Sequence, residues 1–120
     1  MACGTGLVGK YLKEAGYTNI TGVDFSSKML DEARNKNAYK SLQILELGNA
    51  EKFPPYLKNQ FDIVTISGLV NNNYLDYELF EEITMALKTG GRAIFALRFS
   101  YLGDFWYSEV IDNMCSENRW

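Results

Sequence analysis

At 120 residues, 47% hydrophobic and 22% charged, the chain has the composition of one globular domain with enough apolar residues to bury a core. A formal net charge of −3 with scattered lysines gives no basic stripe for nucleic acid, and no apolar run approaches the roughly 20 residues of a membrane helix. Two cysteines, and an N-terminus without a basic-then-apolar leader, suit a reducing, cytoplasmic setting.

The chain opens with Met1-Ala2-Cys3-Gly4-Thr5-Gly6, a glycine turn of the kind that joins a first strand to a first helix. No residue stands before it to form that strand. The spacing of Leu7, Val8, Tyr11 and Leu12 predicts a helix over about 6–15, with Gly16 as its left-handed stop. Residues 19–23 read as a short buried strand ending at Asp24. Ser26 or Ser27 caps a second helix through about residue 36, with Met29, Leu30 and Ala33 as its apolar stripe. Residues 42–47 alternate as a strand, and Gly48-Asn49-Ala50-Glu51 leaves it as a loop. Residues 61–67 are near-continuously apolar, as suits a strand covered on both faces. A helix is predicted over about 76–88, with Leu79, Phe80, Ile83 and Leu87 inward and Gly90-Gly91 as terminator. A strand over 92–99 follows, then a last helix containing Phe105, Trp106, Val110, Ile111 and Met114. Uninterrupted alternation of strand and helix is the mark of an α/β domain with a mostly parallel sheet.

Three strand ends carry ligand-type groups: the glycine turn, Asp24 and Gly48-Asn49-Ala50. In a parallel α/β sheet these ends share the carboxyl edge, where ligands bind. Asp24 is suited to accept from two ribose hydroxyls, and Phe25 offers a flat surface to a purine. Asn49 could accept from the exocyclic amine of adenine while the Ala50 N–H donates to a ring nitrogen. Singly, Asp24 and Asn49 are ordinary turn residues; in this order they point to a nucleoside-type ligand. Gly4-Thr5-Gly6-Leu7-Val8-Gly9 also satisfies the dinucleotide fingerprint, with Asp24 near the expected ~20-residue spacing. An NAD-dependent oxidoreductase therefore stays an alternative at this point. Phe53-Pro54-Pro55-Tyr56 echoes an amine-binding motif of amino-methyltransferases, but its first residue has no amide or carboxylate, and a rigid loop is the better account.

The runs Ala2-Cys3-Gly4-Thr5-Gly6, Thr21-Gly22-Val23-Asp24-Phe25-Ser26-Ser27-Lys28-Met29-Leu30 and Gly48-Asn49-Ala50-Glu51 closely resemble class I S-adenosylmethionine-dependent methyltransferases. The resemblance continues in Phe61-Asp62-Ile63-Val64 and Leu87-Lys88-Thr89-Gly90-Gly91. The stretch Ser67-Gly68-Leu69-Val70 looks most like the small-molecule branch that includes Williams-Beuren-region methyltransferase-like proteins.

The resemblance implies a Rossmann-like α/β fold in one partial domain over residues 1–120, lacking the first strand and the C-terminal strands, including the acidic residue that family members carry before the position of Ala2. It implies that Ala2, Gly4 and Gly6 wrap the methionine portion of S-adenosylmethionine, that Asp24 binds ribose, and that Phe25, Asn49 and Ala50 hold adenine. Ser67 and Gly68 would sit beneath the methionine amino group and sulfonium. The implied reaction is methyl transfer to a small-molecule acceptor, with no metal, nucleic acid or membrane partner; no catalytic base stands out. A truncated, inactive product is the non-enzymatic alternative. On this reading Asp24→Ala should weaken cofactor binding while hardly affecting folding, and Gly9→Ala should disturb binding less than a bulky β-branched residue at Gly4 or Gly6, which should abolish it.

Overall fold

The computed structural model describes residues 1–68, 77–96, 112–113 and 115–116. They fall in two compact units, Met1–Leu47 and Gly48–Trp120.

The first unit begins with the glycine turn and runs into helix α1 (Leu7–Glu14). Gly6 starts α1 from the left-handed region, with φ +84°, and no side chain caps the helix there. Gly16, at φ +97°, ends it as the sequence predicts: its N–H donates to the Lys13 carbonyl and that of Tyr17 to the Leu12 carbonyl, the paired bonds of a Schellman stop. Strand β1 (Thr21–Asp24) follows, buried over its last three residues. Ser26, the first of the two predicted caps, opens α2 (Ser27–Arg34) by accepting from the Met29 N–H at 3.3 Å. Leu30 and Ala33 are the buried stripe of α2. Strand β2 (Ser41–Ile44) then pairs parallel with β1, Thr21 opposite Ser41 and Asp24 opposite Ile44. A parallel pair needs a crossover, and α2 supplies it.

The second unit repeats this plan. Two short 3₁₀ turns, Ala50–Lys52 and Pro55–Leu57, lead to strand β3 (Phe61–Ser67), and α3 (Tyr77–Ala86) is followed by β4 (Leu87–Ala96), parallel to β3. Leu79, Phe80, Ile83 and Ala86 line the buried side of α3, and Phe80 meets Phe95 edge to face at 5.9 Å. Phe53 and Leu57 are buried while Tyr56 is exposed, so Phe53-Pro54-Pro55-Tyr56 is a loop anchored by its apolar residues.

Two predicted features differ. Gly90-Gly91 do not terminate α3: the helix stops four residues earlier, where the Asn59 and Gln60 N–H groups take the carbonyls of Met85 and Ala86 at 2.8 and 3.0 Å. The chain enters β4 at once, with Leu87 opposite Phe61. Arg92 lies opposite Ile63, so the intervening residues, Gly90 at φ +78° among them, are looped out of register. Strand β3 is also not covered on both faces. Val64 and Ile66 are buried, whereas Ile63 and, on β4, Ile94 are exposed. The last predicted helix lies largely outside the described residues; Asp112, Asn113, Cys115 and Ser116 are helical and exposed.

Candidate functional site

The residues singled out in the first unit meet around one carboxylate. Asp24, only 6% exposed at the end of β1, accepts from the Gly4 N–H at 2.8 Å through Oδ2 and from the Ser26 N–H at 3.0 Å through Oδ1. It therefore ties the glycine turn to the start of α2. The turn also lies along β1, because the Cys3 N–H donates to the Val23 carbonyl at 2.9 Å. Ala2, Gly4 and Gly6 all have positive φ, at +47°, +52° and +84°. Three such residues within five give a tight coil whose shape depends on glycine at two of them. Burial, reinforced by the neighbouring Asp24 carboxylate, pushes the Cys3 thiol up. Phe25, beside Asp24, is 72% exposed.

The glycines here do different things. A Cβ on Gly4 would rest in ordinary contact with the Met29 sulfur at 3.9 Å and collide with nothing. A Cβ on Gly6 would lie 2.9 Å from both Cα and Cβ of Ala33, and one on Gly22 would lie 2.7 Å from Leu42 and 2.8 Å from the Tyr39 ring. A Cβ on Gly9 would run into the Tyr39 ring and hydroxyl. Alanine at Gly9 would have to displace the Tyr39 ring, a packing cost separate from cofactor binding, and such close packing is also what the third glycine of the dinucleotide fingerprint provides. Sequence reasoning missed Tyr39 altogether. Its only signal is that glycines at 6, 9 and 22 leave room for one large ring.

In the second unit, Asn49 accepts from the Lys52 N–H at 3.2 Å and caps the turn Ala50–Lys52, in which Ala50 is buried. Ahead of that turn, Glu82 of α3 accepts from the Gly48 N–H at 2.9 Å and the Asn49 N–H at 3.1 Å. Glu82 is 1% exposed. Burial raises its carboxyl above the usual range, with the two N–H groups pulling it back and Glu78 adding to the rise. Sequence reasoning did not single it out either, yet Leu79, Glu82, Ile83 and Ala86 share one helical stripe, and a carboxylate among apolar neighbours was a visible signal. Ser67 ends β3 and Gly68 follows it, both exposed, with Gly68 at φ +79° and room for a Cβ. Among the described residues, no helix is long and apolar enough to cross a membrane.

The left-handed glycine coil is thus pinned by Asp24 at the carboxyl end of β1, with the exposed Phe25 beside it, and it is at that edge that α/β sheets bind ligands. Comparison with known proteins agrees on the family. Residues 1–95 match the family model described as a methyltransferase domain. The chain is 41% identical over 99 residues to a demethylmenaquinone methyltransferase of Oceanobacillus iheyensis, covering 78% of this chain and 41% of that protein. It is 32% identical over 112 residues to human methyltransferase-like protein 27, covering 93% and 44%. Among solved structures, an S-adenosylmethionine-dependent methyltransferase from Mesorhizobium loti superposes with a TM-score of 0.61 at 26% identity, over 78% of this chain and 42% of that one. The chain thus spans under half the length of these relatives, none of which is an oxidoreductase. By its Rossmann-like α/β fold, its glycine turn and the family match over most of its length, the chain belongs to the methyltransferase-domain family.

Proposed function

We propose that the protein carrying this chain is an S-adenosylmethionine-dependent methyltransferase whose acceptor is a small molecule. The observation that carries the proposal is the Asp24 carboxylate holding the Gly4 N–H, in a half-buried glycine turn where a Cβ on Gly4 would collide with nothing. The residues fit the cofactor. Each Asp24 oxygen spends one lone pair on the backbone and keeps another for a ribose hydroxyl. Ala2, Gly4 and Gly6 would hold the methionine portion by main-chain contacts, and Phe25 would stack on the purine. Asn49, through its remaining acceptor capacity, and the Ala50 N–H would read the adenine edge; Ser67 and Gly68 would line the amino-acid end.

S-adenosylmethionine, when bound, supplies an electrophilic methyl on a sulfonium that is already a good leaving group. The chain's own residues would bind, orient and exclude water. A neutral acceptor must also lose a proton on methylation, and in this chain, which has no histidine, an Asp, Glu, Tyr or Lys would have to take it. Relatives named as demethylmenaquinone methyltransferases make a quinol-type ring the first acceptor to assay. Calorimetric titration of the whole protein with S-adenosylmethionine and with NAD tests the cofactor. Micromolar binding of the first and none of the second is expected; preference for NAD would sink the assignment.

A further inference from the structure

Glu82 is a charged residue in a place where the pattern of α3 demands an apolar one. It lies on the buried stripe with Leu79, Ile83 and Ala86, and both of its oxygens are spent on two successive backbone N–H groups, those of Gly48 and Asn49. A buried carboxylate with a raised pKa works against folding at neutral pH, because its ionised form is less favourable inside than in the unfolded chain. A residue serving stability alone would be apolar here. What the carboxylate provides instead is a fixed backbone. Glu82 pins the entry to the turn Ala50–Lys52, and Asn49 caps that same end by accepting from the Lys52 N–H, so the backbone of Asn49 is held by Glu82 while its side chain holds the turn.

We infer that Glu82 is a positioning residue that sets base selectivity: by clamping the N–H groups of Gly48 and Asn49 it fixes Asn49 and the Ala50 N–H as an acceptor and donor pair matched to adenine. The inference rests on the function proposed above, in which Asn49 and Ala50 meet the purine. Adenine presents an exocyclic amine donor next to a ring-nitrogen acceptor, and hypoxanthine presents the reverse. A rigid pair rejects the reversed edge, whereas a loosened one adapts to both.

The experiment compares S-adenosylhomocysteine with S-inosylhomocysteine by calorimetry in the whole protein and in Glu82→Gln, which keeps the side-chain volume but turns one acceptor into a donor facing an N–H. Wild type should prefer the adenosyl ligand by about tenfold or more, the worth of one well-placed hydrogen bond. In Glu82→Gln the adenosyl affinity should fall by about tenfold with the inosyl affinity nearly unchanged, erasing the preference. Amide hydrogen exchange, which needs no ligand, should speed up at Gly48 and Asn49 while β3 amides keep their protection. Glu82→Met repeats the comparison without any acceptor should the Gln variant fold poorly. Equal weakening of both ligands, or a preference retained with the two amides still protected, overturns the inference. If wild type binds neither ligand, the methyltransferase proposal falls and takes the selectivity role with it, while the exchange data separately judge the clamp.

Discussion

Asp24 holds two backbone N–H groups of the fold, and under the proposed function it meets the ribose as well. The sequence marks it as a strand-end acid suited to ribose; its bond to the Ser26 N–H two residues on is a local Asx turn, whereas its hold on Gly4, twenty residues away, leaves no trace in a linear pattern. Asp24→Ala is therefore expected to lower stability by about 1.5–3 kcal/mol, the range for hydrogen bonds to a buried charge, as well as cofactor affinity. Urea unfolding checks the first effect and calorimetry the second; unchanged stability would show that the two backbone bonds contribute nothing. Gly4 and Gly6 should part company. Gly4→Ala meets only an ordinary contact with Met29 and should lose about 1–2 kcal/mol from its left-handed conformation. Gly6→Ala adds a collision with Ala33 to the same strain and should lose distinctly more in the same unfolding assay.

At the scale of elements, the helices and strands were largely written in the sequence because their signals are local. Ser26 as a cap, Gly16 as a stop and the apolar run of β3 each act within a few residues. The misassigned Gly90-Gly91 shows the limit. A glycine pair after an apolar helix reads as a stop, but the end of α3 is set by the N–H groups of Asn59 and Gln60, which come from before β3 and leave no local trace. Tyr39 is hidden in the same way, its role being to fill space between α1 and β1. A double-mutant cycle tests this packing: Gly9→Ala should cost about 1–3 kcal/mol in wild type and much less beside Tyr39→Ala, whose missing ring leaves room for the new methyl. Additive costs in denaturant unfolding would mean that the ring is not what Gly9 makes way for.

For the whole molecule, stability against pH is pulled in two directions. Lys88, within 2.8 and 2.9 Å of both Asp62 oxygens, lowers the Asp62 carboxyl, so the stability it adds is present above the ordinary aspartate range and is lost on strong acidification. That pair is solvent-exposed and weak. Glu82 acts with the opposite sign: its folded-state pKa is raised, so its contribution is fully present below the unfolded value of 4.5 and is lost as pH rises through the folded value. Wild type should thus gain thermal stability relative to Glu82→Gln between pH 7 and about pH 5, a trend that melting curves of the two proteins at both pH values would reveal or refute. The ring of Tyr39 constrains more than one molecule's packing. Because Gly9 and Gly22 both yield to the same side chain, the three positions are not free to drift separately over evolutionary time. A lineage that shrinks residue 39 releases both glycines together, and one that keeps the ring must keep both small. Relatives should therefore vary at 9, 22 and 39 in concert, and a lineage with a small residue at 39 that still kept both glycines would show that some other neighbour holds them.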